Sequence, residues 1–286
     1  MNARVPVIMA LLLSCPPLSA AAQNPTFSSK VEAIRVDVLV TERGKPVLGL
    51  GPGDFEIFDN GVGQQVDLVS FDRQPLNVIL TLDMSDSVIG ERLANLRVAG
   101  RGVLDGLKTG DRAALVTFSH AVSLGADLTV DLARVRIALE QTRPSGYTSV
   151  VDASFAGMMI GESDAGRALV IVFSDGLDTS SWLAPEAVLE IAKRSDAVVY
   201  AVSAGADQDG GFLRDLGEQT GGRLFEIEST SKLSAIFVQV LEEFRRRYVL
   251  SYSPTGVSAD GWHQLTVRVK GRNATVKARR GYLAGK

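Results

Sequence analysis

Cysteine and histidine are nearly absent from this chain of 286 residues, which has one of the first and two of the second. That count excludes a zinc centre built on His or Cys ligands. A single cysteine, Cys15, also rules out an internal disulfide framework, so the fold must be held by its core. With 45% apolar residues the chain is long enough for that. No strong charge of one sign is present either. Thirty basic residues against 33 acidic ones leave a net charge of −3, which argues against nucleic acid or anionic lipid as a partner. The basic runs Arg245-Arg246-Arg247 and Arg279-Arg280 read as a helix end or a solvated strand. Beyond the N-terminus no run is long and apolar enough for a transmembrane segment. Gly205, Gly210-Gly211 and Gly221-Gly222 are not followed by Gly-Lys-Ser/Thr, so no phosphate loop is spelled.

The first 22 residues read as a signal peptide. Arg4 supplies a positive start, residues 5–13 a short apolar core, and Ser19-Ala20-Ala21-Ala22 the small residues for cleavage before Gln23. Leu12-Leu13-Ser14-Cys15 offers an alternative, a lipoprotein box in which Cys15 carries the anchor. Either way the expectation is an exported protein, periplasmic or extracellular.

Three further regions follow. Residues 23–74 are β-rich: residues 34–40 nearly alternate, and residues 55–58 and 66–69 read as two strands with the hairpin signal Asp59-Asn60-Gly61 between them. Residues 75–247 switch to apolar strands alternating with helices, which predicts a doubly wound, mainly parallel α/β sheet with helices on both faces. The clearest helix places Leu233, Ile236, Phe237, Val240, Leu241 and Phe244 on one stripe. Residues 248–286 return to strands, the last of them at 275–279. Neither β-rich end can bury a good core alone, so the two are expected to pair into one small β domain that the α/β part interrupts.

Three segments should meet beyond the carboxyl ends of the parallel strands, where open α/β sheets bind ligands. The first is Asp83-Met84-Ser85-Asp86-Ser87, directly after the apolar run 78–82. The second is the loop Pro144-Ser145-Gly146-Tyr147-Thr148. The third is Ser174-Asp175-Gly176, after the apolar run 169–173. Hard oxygen donors crowded in this way suit Mg²⁺, with Mn²⁺ and Ca²⁺ as alternatives. Asp83, Ser85, Ser87, Thr148 and Asp175 are the candidate metal ligands. Each also has an ordinary use, since Asp86, Ser87, Thr148 or Ser149 could cap a helix and Asp175-Gly176 could be a turn.

The order Asp-x-Ser-x-Ser, then a Thr in a glycine-containing loop, then an Asp after a later strand, resembles the metal-ion-dependent adhesion site (MIDAS) of von Willebrand factor type A (VWA) domains. Lys108-Thr109-Gly110-Asp111-Arg112 and Thr220-Gly221-Gly222-Arg223 resemble further landmarks of that fold. The flanks 54–61, 248–252 and Arg280-Gly281-Tyr282 resemble exported bacterial VWA-related proteins common in acidobacteria. The resemblance implies a Rossmann-like fold in which Ser85, Ser87 and Thr148 touch the ion directly and Asp83 or Asp175 act directly or through water. It implies protein binding, with a partner's Asp or Glu carboxylate completing the metal's shell. One departure is Asp86, where the family usually has Gly; it could stand beside the ion and raise cation affinity, favour Ca²⁺ or repel an acidic ligand, or point away as a helix-start charge. Asp152 and Asp178 lie near the loops as supporting or surface groups.

No catalytic residue is assigned. His120 and His263 lack an Asp and a Ser in a recognisable triad order. A haloacid-dehalogenase-type phosphatase would need a carboxylate where Ser85 stands. The reading is a non-enzymatic, divalent-cation-dependent binding module. The alternatives are a metal-dependent phosphatase-like hydrolase, or a structural clamp in which the ion only ties loops together.

Overall fold

Alternating Val36, Val38 and Val40 turn one face of β1 (Ile34–Glu42) into a buried core. The computed structural model describes residues 33–71, 74–204 and 211–285; the expected signal peptide and cleavage site lie outside the described residues. A turn at Arg43-Gly44 leads into β2 (Lys45–Pro46), which pairs back onto β1. β3 (Phe55–Asp59) and β4 (Val62–Gln64) form a hairpin, and its two turn residues, Asn60 and Gly61, take φ of 47° and 80°. The hairpin signal therefore operates, but its second strand is 62–64. The predicted partner, the run near 66–69, is β5 (Leu68–Phe71), and it joins a different sheet.

The α/β layer follows in the expected alternation. Its strands are β6 (Leu76–Asp83), β7 (Arg112–Phe118), β8 (Val122–Thr129), β9 (Arg167–Ser174), β10 (Val198–Ala204) and β11 (Arg223–Ile227). Its helices are α1 (Glu91–Asp105), α2 (Leu132–Gln141), α3 (Val150–Gly161), α4 (Pro185–Ala192), α5 (Gly211–Thr220) and α6 (Leu233–Arg245). The sheet order is β11-β10-β9-β6-β7-β8, parallel except for β8. That antiparallel edge strand is an addition to the predicted pattern. Val122, Leu124, Ala126 and Leu128 do alternate, but only Ala126 is buried, so the strand carries little apolar signal.

β6 and β9 are buried along their whole length, as expected for strands covered on both faces. Their alternate residues enter two cores. Val78, Leu80 and Leu82 meet α1, α2 and α6, while Ile79, Val170 and Val172 meet α3, α4 and α5. α3 approaches closely because Gly157 faces β6: a Cβ there would stand 2.7 Å from Thr81 Oγ1.

β12 (Tyr248–Tyr252), β13 (Gly261–Val269), β14 (Thr275–Lys277) and β15 (Gly281–Ala284) close the chain. β15 lies beyond the strand predicted as the last. As expected, the two ends pair. β1 takes β12 and β14 as neighbours, and β3 takes β13. The two antiparallel sheets share one apolar core. Inside it, Asp59 accepts hydrogen bonds from Tyr252 and Tyr282, each at 2.8 Å, and its Oδ1 lies 2.7 Å from His263 Nδ1. His263 thus serves the β core, with tyrosines around its carboxylate.

The arginine run falls at the end of α6, as read from the sequence, but only part of it is solvated. Arg246 is exposed beside Glu242, but Arg245 and Arg247 are buried. Arg245 donates to Asp111 Oδ2 at 2.5 Å, and Asp111 Oδ1 accepts from Leu76 N at 2.9 Å, anchoring the start of β6. Arg247 donates to Tyr200 Oη at 2.9 Å and to the carbonyl of Asp37 at 3.3 Å. Arg167, on β9, pairs with Asp37 on β1 through Nε at 3.1 Å and through Nη2, with its guanidinium over the Phe244 ring. Arg167 and Arg247, through Asp37, tie the α/β layer to the β sheets.

Breaking such a pair leaves a charge without its partner in a buried place, which costs more than the pair contributes. Asp37→Ala is expected to lower unfolding free energy by about 3 kcal/mol. Replacing both partners, Asp37→Leu with Arg167→Met, should recover most of that loss. Urea unfolding of the three proteins measures it.

Candidate metal centre

β6 and β9 lie side by side and parallel, yet the chain leaves them in opposite directions across the sheet. Their carboxyl ends therefore open a crevice at the switch in strand order. Asp83 ends β6 and Ser174 ends β9. Asp83 is fully buried. Its Oδ1 accepts from Ser85 N at 2.8 Å and its Oδ2 from Ser174 Oγ at 2.7 Å. Burial pushes its carboxyl above the usual range, and the nearby Asp175 charge adds to that; hydrogen bonds from Ser85 and Ser174 only partly offset it. A buried carboxylate served by these neutral donors favours a cation beside it.

The remaining donors follow in a chain. Ser85 Oγ lies 2.9 Å from Ser87 Oγ, and Ser87 Oγ donates to Asp175 Oδ1 at 2.5 Å. Arg92, in the first turn of α1, donates to Asp175 Oδ2 at 2.6 Å. The glycine loop is bound to both other segments. Ser145 N donates to Met84 O at 2.7 Å, and the carbonyl of Thr148 accepts from Thr179 N at 2.8 Å and Ser180 N at 3.0 Å. Gly176 brings the Thr148 side chain close: a Cβ on Gly176 would stand 3.1 Å from Thr148 Oγ1. The five predicted residues thus gather at one place, four through direct hydrogen bonds and Thr148 across Gly176.

The helix-cap alternative fails on geometry. The N-cap of α1 is Gly90, and that of α3 is Ser149, whose hydroxyl donates instead to Ser119 O at 2.7 Å. Ser85 precedes a short 3-10 turn without a side-chain cap bond. The orphan donor at Val151 N is satisfied by Asp178 Oδ2 at 3.0 Å, from a different loop. The hydroxyls of Ser85, Ser87 and Thr148 are therefore not consumed as caps.

Two carboxylates and three hydroxyls fit a hard divalent ion. Adjacent ligands of an octahedral Mg²⁺ with bonds of about 2.1 Å lie about 3 Å apart, close to the 2.9 Å between the Ser85 and Ser87 oxygens. Among the described residues no three His, Cys, Asp or Glu side chains gather into a ligand set, so hydroxyls must carry part of any such site.

Several acidic residues noted near the loops have partners that the sequence does not reveal. Asp86 is not a loose helix-start charge; its Oδ1 accepts from Gly146 N, and its N donates to Gly146 O, both at 3.0 Å. It clasps the glycine loop to the first segment. Asp152, expected near the loops, accepts from Trp182 N and Leu183 N at 2.9 Å each. Asp178 holds Val151 N, Ser181 N and Ser181 Oγ. Acidic residues in and beside the loops were the available signal, but Gly146 N, Val151 N, Trp182 N and Leu183 N, which they hold, are distant in sequence.

Comparison with known proteins concerns the family and the fold. The model of the von Willebrand factor type A domain family matches residues 77–239. The chain is similar to inter-alpha-trypsin inhibitor heavy chain H2 of Mus musculus, 26% identical over 234 residues, covering 74% of this chain and 25% of the relative. The Homo sapiens protein of that name is 23% identical, with coverage of 72% and 24%. The chain spans about a quarter of the length of these curated relatives. Among solved structures, a von Willebrand factor type A protein from Catenulispora acidiphila superposes with a TM-score of 0.56 at 13% identity, covering 85% of this chain and 75% of that one. Proximal thread matrix protein 1 from the mussel byssus, solved with a zinc-occupied MIDAS motif, gives 0.55 at 18% identity, covering 64% and 48%. At these identities the likeness of structures concerns the fold.

Asp178→Ala removes the cap of α3 and two bonds within its own loop. It is expected to cost about 1–2 kcal/mol of stability, read by urea unfolding. A fall under 0.5 kcal/mol would show that another group takes over the cap.

Proposed function

The chain belongs to the von Willebrand factor type A family, and from that premise we propose that it is an exported, non-catalytic module that binds a protein partner through a divalent cation. The observation that carries this reading is the convergence of Asp83, Ser85, Ser87, Thr148 and Asp175 at the switch point of the sheet, with their hydroxyls spared from capping. Mg²⁺ is the ion we favour, with Mn²⁺ or Ca²⁺ able to take the same oxygens. When bound, it supplies an electrophilic position that a partner's Asp or Glu carboxylate completes.

The chain's own residues do the rest. Ser85, Ser87 and Thr148 offer neutral oxygens that leave the cation's charge largely intact. Asp83 and Asp175 provide negative charge from positions the fold cannot relax. Asp86 and Thr148 hold the loops in register through their bonds to Gly146 and to Thr179 and Ser180. No carboxylate stands at Ser85 to act as the acid of a phosphatase, which favours binding over hydrolysis.

The rim of the site supports a protein partner. Tyr147 precedes Thr148 and is 71% exposed; Trp182 lies on the loop held by Asp152 and is 94% exposed. Ile89 and Leu177, each two residues from a candidate ligand, are exposed too. Large apolar side chains displayed on the loops around a polar centre suit a protein interface more than a small soluble substrate.

Calorimetry should record uptake of one Mg²⁺ or Mn²⁺ per chain, and Asp83→Ala should abolish it while the protein stays folded. Binding of an envelope protein should require the cation and be lost with chelator. Weakening of that binding by Trp182→Ala, by about tenfold, would support the rim as contact surface. Loss of thermal stability with chelator but unchanged partner binding would favour the loop clamp. For export, N-terminal sequencing of the secreted protein is expected to begin at Gln23; a chain beginning at a lipidated Cys15 would show the anchored form instead.

A further inference from the structure

Arg92 stands where a cation is disfavoured. It lies in the first turn of α1, and a helix N-terminus carries partial positive charge. Its half-exposed side chain nevertheless reaches back to Asp175, whose side chain is fully buried, and donates at 2.6 Å. A second, longer bond of 3.3 Å goes to Ser87 O. Asp175 Oδ1 is taken by Ser87 Oγ at 2.5 Å and Oδ2 by Arg92. Both carboxylate oxygens are thus engaged within the chain itself.

We propose that Arg92 is the internal counter-cation of this site, holding Asp175 before a divalent ion arrives and competing with the ion for it. The inference rests on the metal-binding reading above. The physical reasons are four. A buried carboxylate without a counter-charge is unstable, and Arg92 provides that charge from the chain. The arginine can leave at little cost, because half of its side chain is already in water. Asp175 cannot follow, since it is enclosed by the loop after β9. The two cations also repel one another at this range, so an ion gains Asp175 only by turning the guanidinium outward. Arg92 therefore sets the cation affinity and keeps the loops assembled in the metal-free protein.

The test compares the whole protein with Arg92→Gln, which keeps length and loses charge, and Arg92→Lys, which keeps charge and loses the planar fork. Calorimetric titration with MgCl₂ and MnCl₂ gives affinity. Thermal unfolding in chelator and in excess Mg²⁺ gives the stability of the two states. The expected result is that Arg92→Gln binds Mg²⁺ on the order of tenfold more tightly than the parent. Its midpoint should fall by about 2–4 °C in chelator and stay near the parent's in Mg²⁺, with Arg92→Lys close to the parent in both measurements. Uptake by Arg92→Gln at equal or weaker affinity than the parent would overturn the role of Arg92 and leave the metal site standing. An unchanged midpoint in chelator would also overturn it. No uptake of either metal by any of the three proteins would overturn the metal site and this role together.

Discussion

A carboxylate buried beyond the reach of water, Asp83, is the constraint around which this structure is arranged. It stands at the end of the central strand, in the one place where neighbouring strands send the chain in opposite directions. Its charge is costly there, and its hydrogen bonds from Ser85 and Ser174 reduce that cost only in part. Loops that bring further oxygens to the same point must then be held against their mutual repulsion. They are held by one another. Asp86 grips Gly146, Thr148 receives the amides of Thr179 and Ser180, and Asp178 closes the start of α3. The cluster is preorganised because none of its three segments can move alone. The cation-binding centre proposed for this site makes the arrangement chemically coherent.

A second set of buried charges serves assembly. Arg167, Arg245 and Arg247 sit where the α/β layer meets the β sheets or where α6 meets the start of β6. Arginine suits such places, because its planar fork can satisfy a carboxylate and a carbonyl together. Asp111, bonded to Leu76 N and to Arg245, fixes the base of the strand whose far end carries Asp83. The seam therefore bears on the site through the position of β6. The β core, with Asp59 shared by Tyr252, Tyr282 and His263, is built on the same rule that buried polar groups need partners.

Most of the readings that held were local ones, the pairing of the two β-rich ends being the exception. Asn60 and Gly61 announced their turn, since both tolerate positive φ. The stripe of α6 announced its buried face. The apolar runs at 78–82 and 169–173 announced central strands, and the polar residues after them marked the ends where a ligand could sit. The readings that failed depended on distant partners. β5 was assigned to the hairpin because it is near in sequence, but the pairing it adopts is with β12. β8 carries too little buried surface to stand out from a loop. Arg245 and Arg247 do stand at a helix end, as read, but nothing near them in the chain reveals Asp111, Tyr200 or Asp37. The parts played by Asp86 and Asp178 stayed open, because Gly146 N and Val151 N, which they hold, are distant in sequence.

By itself, the amino-acid sequence determined the alternation of strands and helices, the chemical type of the candidate ligands and their order along the chain. These follow from side-chain volume, polarity and spacing, which act over a few residues. Only the tertiary structure decided which hydroxyls are spared from capping, that Arg92 turns toward Asp175, and that Arg167 and Arg247 reach Asp37 across the seam. Those outcomes depend on contacts between residues tens to hundreds of positions apart, and a linear pattern carries no distance between such residues.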